Sequence, residues 1–205
     1  MKYFMKRDNE TIRFYRKRLP HWEVRDGLYF VTLRQADSLP VKKAEEIRCL
    51  IKELDAKPED ERDKVRRLIF RRMEAILDCG YNGRLTLEPY VDIIIKTILH
   101  RHEQNIWRMV EFVIMPNHLH LFFENNGRDL EKVLKDFKIW TIKEFRKQTA
   151  DKCDILSWQT ESFDHWSRTV EEDEKIIKYI RNNPVKAKLA NNYQDWKYGG
   201  WNCLK

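Results

Sequence analysis

The sequence lacks the cysteine patterns of several common classes of protein. Its four cysteines, Cys49, Cys79, Cys153 and Cys203, lie far apart and form no Cys-x-x-Cys pair. That spacing argues against a zinc ribbon and against a thioredoxin-like redox site. Isolated cysteines are typical of proteins kept reduced in the cytosol, so we expect four free thiols.

Long apolar stretches are also missing. No run approaches the roughly 20 apolar residues that a membrane-spanning helix needs. Residues 1–8 lack the apolar segment of a secretory signal. No glycine-rich loop follows a predicted strand, so a doubly wound nucleotide-binding fold is not expected. We therefore expect a cytoplasmic protein with no membrane partner.

Positive charge is in excess. The 205 residues include 40 Lys and Arg against 33 Asp and Glu, which gives a net charge of +7. Such an excess favours polyanionic partners, and nucleic acid first among them. Hydrophobic residues make up 42% of the chain, which is enough for one domain with a substantial core.

Hydrophobic periodicity predicts strands and helices in irregular alternation, without the regular strand–helix repeat of a parallel sheet. An α+β fold, in which helices pack on an antiparallel sheet, fits this order best. We expect one domain over residues 1–205, with a helical insertion at 41–80 and a polar, aromatic tail at 185–205. The expected strands are 27–33, 106–115, the segment from His118 and part of 154–167. The expected helices are 41–56, 59–77, one opening at Pro89, one from Leu130 and one over 170–183. We expect Pro184 to end the last of these helices.

Residues 1–24 mix basic and aromatic side chains without a clear period. Basic residues interleaved with rings can clamp a nucleic-acid backbone and stack bases. The alternative is a tail that packs through its aromatic residues and leaves its charges in water. The candidate DNA contacts in this segment are Arg13, Arg16, Lys17, Arg18 and Trp22.

Two histidines stand in an apolar run just after a Pro-Asn turn, in the sequence Val-Ile-Met-Pro-Asn-His-Leu-His-Leu-Phe-Phe over residues 113–123. Side chains alternate between faces along a strand, so His118 and His120 share one face. Leu119, Leu121 and Phe123 point to the other face, which we expect to be the core. The two imidazoles can share a metal ion, or they can form a polar pair on the surface.

Tyr179 and Asn183 are four residues apart in the last predicted helix, so they share a helix face. Alone, they are typical of a core tyrosine and an asparagine that ends a helix before proline. Beside His118 and His120, the amide oxygen of Asn183 would complete a three-ligand metal site with open positions. A phosphate bound there would lie within reach of a tyrosine nucleophile.

These residues resemble a known family. Residues 115–120, Met-Pro-Asn-His-Leu-His, are similar to the HUH motif (His-hydrophobe-His) of single-tyrosine, IS200-like DNA transposases. Tyr179 and Asn183 are similar to the family's tyrosine motif, in which a metal-binding Gln or Asn follows the tyrosine by four residues. Further resemblance to the REP-associated tyrosine transposases, which carry Asn where insertion-sequence relatives often carry Gln, lies in residues 29–32, 37–40, 158–165 and 179–187.

The resemblance implies an HUH transposase fold with a ferredoxin-like core and a specific chemistry. It assigns a divalent ion, Mg²⁺ or Mn²⁺, to His118, His120 and Asn183, and makes Tyr179 the nucleophile. The expected reaction cuts single-stranded or hairpin DNA through a 5′-phosphotyrosine link and frees a 3′-OH. The resemblance also implies a monomer rather than a dimer, in the cytoplasm at the nucleoid. His165 is a further candidate for DNA binding: it could touch the phosphate or orient a ligand, or it could form a structural pair with Asp164 near the end of a strand.

Two other functions stay open from the sequence. One is a protein that binds DNA hairpins with the same fold but does not cut them. The other is a metal hydrolase that uses water in place of Tyr179. That hydrolase needs a general base beside the metal, and Glu111 and Glu124 are the nearest acids in the sequence.

Overall fold

The computed structural model describes residues 10–16, 20–149 and 155–204. A 3₁₀ turn at Tyr193–Asp195 precedes the last short helix. The strands are β1 (Thr11–Arg16), β2 (Pro20–Val24), β3 (Leu28–Arg34), β4 (Arg108–Ile114), β5 (His118–Glu124) and β6 (Phe163–Trp166), and the helices are α1 (Val41–Ala56), α2 (Glu59–Leu77), α3 (Tyr90–Glu103), α4 (Leu130–Gln148), α5 (Val170–Lys186) and α6 (Gly200–Cys203).

A four-stranded antiparallel sheet in the order β4-β5-β3-β6 forms the centre of the described fold. The register of β3 against β5 places Thr32 opposite His120 and Arg34 opposite His118. Helices pack on both faces of this sheet, so the predicted α+β class is confirmed.

One face of the sheet makes the main core, as the alternation in β5 predicts. Leu119, Leu121 and Phe123 have no exposed surface and belong to one apolar cluster with Ile94 of α3 and Phe137 of α4. The amphipathic pattern of both helices turns their apolar stripes toward these side chains. The packing of this face against α3 and α4 fixes the position of β5, whose other side chains point to the opposite face.

The opposite face of the sheet carries the two histidines and is also covered. Phe30 of β3 and Phe122 of β5 pack there with Ile180 of α5. His118 and His120 have 0% exposed surface. The interpretation as a polar pair on the surface is therefore wrong, because α5 and α2 cover this face.

The described part of the N-terminal segment forms two paired strands, called here the β1–β2 hairpin, rather than a tail. β1 and β2 pair antiparallel, with Phe14 opposite Trp22. Arg13 pairs with Glu23 of β2 at 3.0 Å, and its contact with Asp129 at 3.4 Å ties the hairpin to the start of α4. The strands were missed because their basic and aromatic residues show no alternation of apolar and polar side chains.

Two further predictions were wrong. Pro184 does not end the last helix: α5 runs to Lys186 with Pro184 inside it. A proline removes only its own donor, and the Ala187 N–H still bonds to the Asn183 carbonyl at 3.0 Å. The apolar pattern of α4 also predicts a core position for Trp140, but Trp140 is 47% exposed and lies beneath Lys143.

Among the described residues, no helix is both long and apolar enough to cross a bilayer. Cys49, Cys79 and Cys203 are free thiols, as predicted. Cys153 lies outside the described residues.

The two-faced packing of β5 generates a stability prediction. Leu121→Ala removes a fully buried side chain from the main core and is expected to lower the free energy of unfolding by about 2–5 kcal/mol. Leu87→Ala, at a side chain that is 53% exposed, is the matched control and should change it by less than about 0.5 kcal/mol. Urea unfolding measures both values, and equal losses would contradict the assigned core face.

Candidate active site

Three elements bring the site residues together in one chain. β5 supplies His118 and His120, one face of α5 supplies Tyr179 and Asn183, and α2 approaches from the side. The Asn183 Nδ2 atom lies 3.2 Å from His120 Nε2. Ring centroids are 4.8 Å apart for the two histidines and 5.5 Å apart for His120 and Tyr179. The spacing of four between Tyr179 and Asn183 therefore does place both over the His-Leu-His strand.

Each imidazole is oriented through its Nδ1 atom. His118 Nδ1 lies 2.8 Å from Asn117 Oδ1, and His120 Nδ1 lies 2.9 Å from Thr32 Oγ1. Asn117 is itself held, since its Nδ2 donates to the Tyr81 carbonyl at 3.2 Å. Metal-binding histidines commonly donate their second N–H to such partners, which leaves Nε2 as the ligand atom.

Glu74 of α2 is the site residue that sequence reasoning missed. It is 1% exposed, and its Oε2 lies 3.2 Å from His120 Nε2 and accepts a hydrogen bond from the Tyr179 hydroxyl. The available signal was its place on the apolar face of α2, between Phe70 and Leu77. The two acids named for the hydrolase alternative have other partners: Glu111 accepts a hydrogen bond from Arg181, and Glu124 accepts one from Arg108.

Buried acceptor atoms converge here without enough donors. His118 Nε2, Glu74 Oε1 and Asn183 Oδ1 are buried and lack a hydrogen-bond partner among the described residues. Ligand atoms of Glu74, His118 and His120 all lie within 4.8 Å of one another. Buried polar atoms are rarely left unpaired, and a cation satisfies several acceptors at once. This group can therefore bind a metal ion, and imidazole nitrogen with carboxylate oxygen suits a divalent one.

The electrostatics of the metal-free site fix its protonation states. Burial, with the neighbouring His120, lowers the pKa of His118 to about 3, so its imidazole is neutral at pH 7. Burial opposes ionisation of Glu74, but its electrostatic interaction with His120 and the hydrogen bonds from His120 and Tyr179 outweigh burial and lower the pKa of Glu74 to about 2. Burial and then the Glu74 carboxylate raise the pKa of Tyr179 far above its usual value. The phenol is thus protonated and hydrogen-bonded to a carboxylate.

Aromatic rings hold Tyr179 in place. Phe30 stacks on His120 at 5.2 Å between ring centroids and meets the Tyr179 ring edge-on at 5.7 Å. Phe70 of α2 lies 6.1 Å from Tyr179 and 4.5 Å from Phe163 of β6. These contacts confine the tyrosine ring between the sheet and α2.

Two of the predicted DNA contacts have side chains that the structure describes, and both pair with acids other than Glu74. Arg13 and His165 are engaged in ion pairs, Arg13 with the acids named above and His165 Nε2 with Glu172 Oε1 at 2.8 Å. His165 is thus paired, but with the first turn of α5 rather than with the neighbouring aspartate. Arg16 and Trp22 fall in β1 and β2. Lys17 and Arg18 lie outside the described residues.

Comparison with known proteins supports a transposase relationship. A family model described as "Transposase IS200 like" matches residues 82–183, about half of the chain, and that span includes both histidines, Tyr179 and Asn183. A solved structure entitled "Structure of the REP associates tyrosine transposase bound to a REP hairpin" is similar over 93% of this chain and 83% of that chain. The TM-score is 0.56 at 14% sequence identity, which shows a common fold. No curated protein matches the sequence.

The buried, neutral His118 generates a pH prediction for the metal-free protein. Its pKa is about 3 when folded and about 6.5 when unfolded, so the unfolded state binds the extra proton below pH 6.5. Stability is therefore lost as the pH falls. Between pH 7 and pH 5 this histidine should cost about 2 kcal/mol.

Urea unfolding with a chelator present measures that loss. His118→Asn should lose less stability than wild type over this pH range, by about 2 kcal/mol. His100→Asn, at an exposed position of α3, should keep the wild-type slope. Equal slopes for the wild type and the His118 variant would show that His118 is not held neutral by burial.

Proposed function

Because the chain belongs to the IS200-like transposase family, we propose that it is a metal-dependent nuclease and strand transferase for single-stranded, hairpin-forming DNA. Within that family we assign it to the REP-associated tyrosine transposases. The observation that carries the proposal is the meeting of Tyr179 with His118, His120 and Asn183 in one buried site. The solved neighbour is bound to a REP hairpin, and the excess of positive charge suits a DNA partner.

Several side chains of the site would together bind a divalent ion, Mg²⁺ or Mn²⁺. His118, His120 and Asn183 are the ligands expected from the family pattern, and Glu74 adds the negative charge that such an ion prefers. When bound, the ion would act as a Lewis acid on the scissile phosphate and stabilise charge on the departing oxygen. Thr32 and Asn117 fix the orientation of the His120 and His118 imidazoles through contacts with their Nδ1 atoms.

Tyr179 supplies the nucleophile. Its phenolic oxygen forms a bond to the phosphorus as the bond from phosphorus to the 3′ oxygen breaks. The phenolic proton is released and the 3′ oxygen gains one, so the net change is transfer of a proton from the phenol to the new 3′-OH. The product is a 5′-phosphotyrosine, which keeps the reactivity of a phosphodiester, and a second 3′-OH can reverse the step on another strand.

Glu74 keeps the phenol in position before DNA arrives. The Tyr179 hydroxyl donates to the Glu74 carboxylate, which also lies beside His120. This contact places the nucleophilic oxygen next to the imidazole nitrogen instead of leaving it free to rotate. Pre-positioning of this kind lowers the entropic cost of the reaction.

We extend the proposal to assembly and location. All the site residues come from one chain, which favours a monomer that cuts with its own tyrosine. The whole chain is proposed to act as one domain on DNA at the nucleoid in the cytoplasm. The β1–β2 hairpin, with Arg13, Arg16 and Trp22, is proposed to approach DNA outside the catalytic site, together with Lys17, Arg18 and His165.

The nucleophile is tested by trapping the covalent product. Wild type, incubated with Mn²⁺ and a hairpin oligonucleotide that carries a labelled single-stranded flank, should form a protein–DNA adduct that survives denaturing electrophoresis. Tyr179→Phe should form none, because it lacks the attacking oxygen, and a chelator should abolish the wild-type adduct.

Tyr193→Phe, at a tyrosine outside the site, is the matched control and should form the adduct normally. Cutting that persists in Tyr179→Phe would favour the hydrolase that uses water. Hairpin binding without an adduct at any Mn²⁺ concentration would favour the DNA-binding protein without cleavage.

The metal assignment is tested without DNA by calorimetric titration with Mn²⁺. Glu74→Gln keeps the size of the side chain but removes its charge, and should weaken Mn²⁺ binding at least ~10-fold. Asp78→Asn removes the same charge one helical turn away, where the carboxylate contacts Lys186, and should bind nearly as wild type. Equal affinity of wild type and Glu74→Gln would remove Glu74 from the metal site.

A further inference from the structure

A cleft opens beside the histidines, on the same side of the sheet. It lies between the end of β3, the α1–α2 pair and residues 159–163, and its volume is about 560 Å³. Pockets of this size accept ligands as large as a nucleotide. Thr32, which orients His120, is the one lining residue to which the proposed function gives a role.

The walls of the cleft combine apolar surface with positive charge. Ile47, Met73 and Phe163 give it apolar sides, and Arg48 and Lys52 stand exposed on the α1 side of its mouth. Single-stranded nucleic acid is bound by this pairing of features, because bases stack on rings while the backbone phosphates meet basic residues. Glu161 also lines the cleft, but Arg34, Arg48 and Lys52 outnumber it, so the net charge favours a polyanion whose bases are unpaired.

The cleft is continuous with the catalytic site. Thr32 lines the cleft, and its hydroxyl lies 2.9 Å from His120 Nδ1. Met73 lines it one residue before Glu74. Phe163 lines it and packs on Phe70, which in turn lies against Tyr179. A strand with its scissile phosphate at the histidines would have its next nucleotide at this opening.

We propose that the cleft binds the unstacked base of a nucleotide adjacent to the scissile phosphate. The inference rests on the proposed function, since it takes the histidine site as the place of cutting. The α1–α2 pair then forms a wall that separates one base from its neighbours. Arg48 and Lys52 would meet the phosphates on either side of that base.

The proposal is tested by placing one abasic nucleotide at a time along the single-stranded flank of the hairpin oligonucleotide. Affinity is measured by fluorescence anisotropy with Tyr179→Phe, so that cutting does not disturb the equilibrium. We expect one flank position, next to the cut, at which loss of the base weakens binding about 5- to 100-fold.

A variant that fills the cleft tests whether the sensitive nucleotide of the oligonucleotide binds there. Ala44 lines the cleft, so Ala44→Phe should weaken binding of the intact oligonucleotide and remove its sensitivity to the abasic position. Ala75→Phe, at an exposed position of α2, is the matched control and should keep both the affinity and the sensitivity. Circular dichroism verifies that both variants are folded.

The outcomes separate this inference from the function on which it rests. If wild type forms the adduct but no flank position is sensitive, or if Ala44→Phe behaves as Ala75→Phe does, the cleft does not hold a base. If the hairpin oligonucleotide is not bound at all, the inference fails together with the proposed function. A sensitive position that Ala44→Phe alone abolishes supports the assignment.

Discussion

The site depends on one constraint, which is that the Nε2 atoms of His118 and His120 both face the same buried volume. His118 and His120 are fully buried, and their Nδ1 atoms lie against Asn117 and Thr32, so both Nε2 atoms are available to one small volume. Glu74 places a carboxylate oxygen in the same volume. Unpartnered acceptor atoms such as His118 Nε2 and Glu74 Oε1 are costly to bury, and a bound divalent ion would remove that cost. The Glu74–His118–His120 group can therefore bind a metal ion.

The sheet makes this arrangement possible because one of its faces packs the main core and the other carries the histidines. Leu119, Leu121 and Phe123 anchor β5 in the main core, and the alternation of side chains then holds His118 and His120 on the other face. α5 crosses that face with its tyrosine and asparagine, and α2 approaches with its glutamate. The proposed nucleophile and the proposed ligands therefore sit on separate elements, which fixes their relative positions and makes the site dependent on the packing of α2.

Much of this could be predicted from the sequence, because the signals are local. The period of two in β5 and the spacing of four in α5 gave the correct faces, and their resemblance to a known family joined them. Glu74 could not be found in this way, since no short-range pattern connects a residue of a basic helix to a strand that follows 44 residues later. Pro184 and the β1–β2 hairpin show two other limits of local signals. A proline need not end a helix, because it removes only its own donor, and strands without alternating apolar and polar residues carry no local pattern.

The most direct test of the metal site is anomalous X-ray scattering at the manganese edge from crystals of the protein soaked in Mn²⁺. We expect one strong peak within coordination distance, roughly 2.0–2.4 Å, of the Nε2 atoms of His118 and His120, with Glu74 and Tyr179 of the same chain beside it. A peak elsewhere, with the two imidazoles unligated, would contradict the assignment of this site as a metal centre.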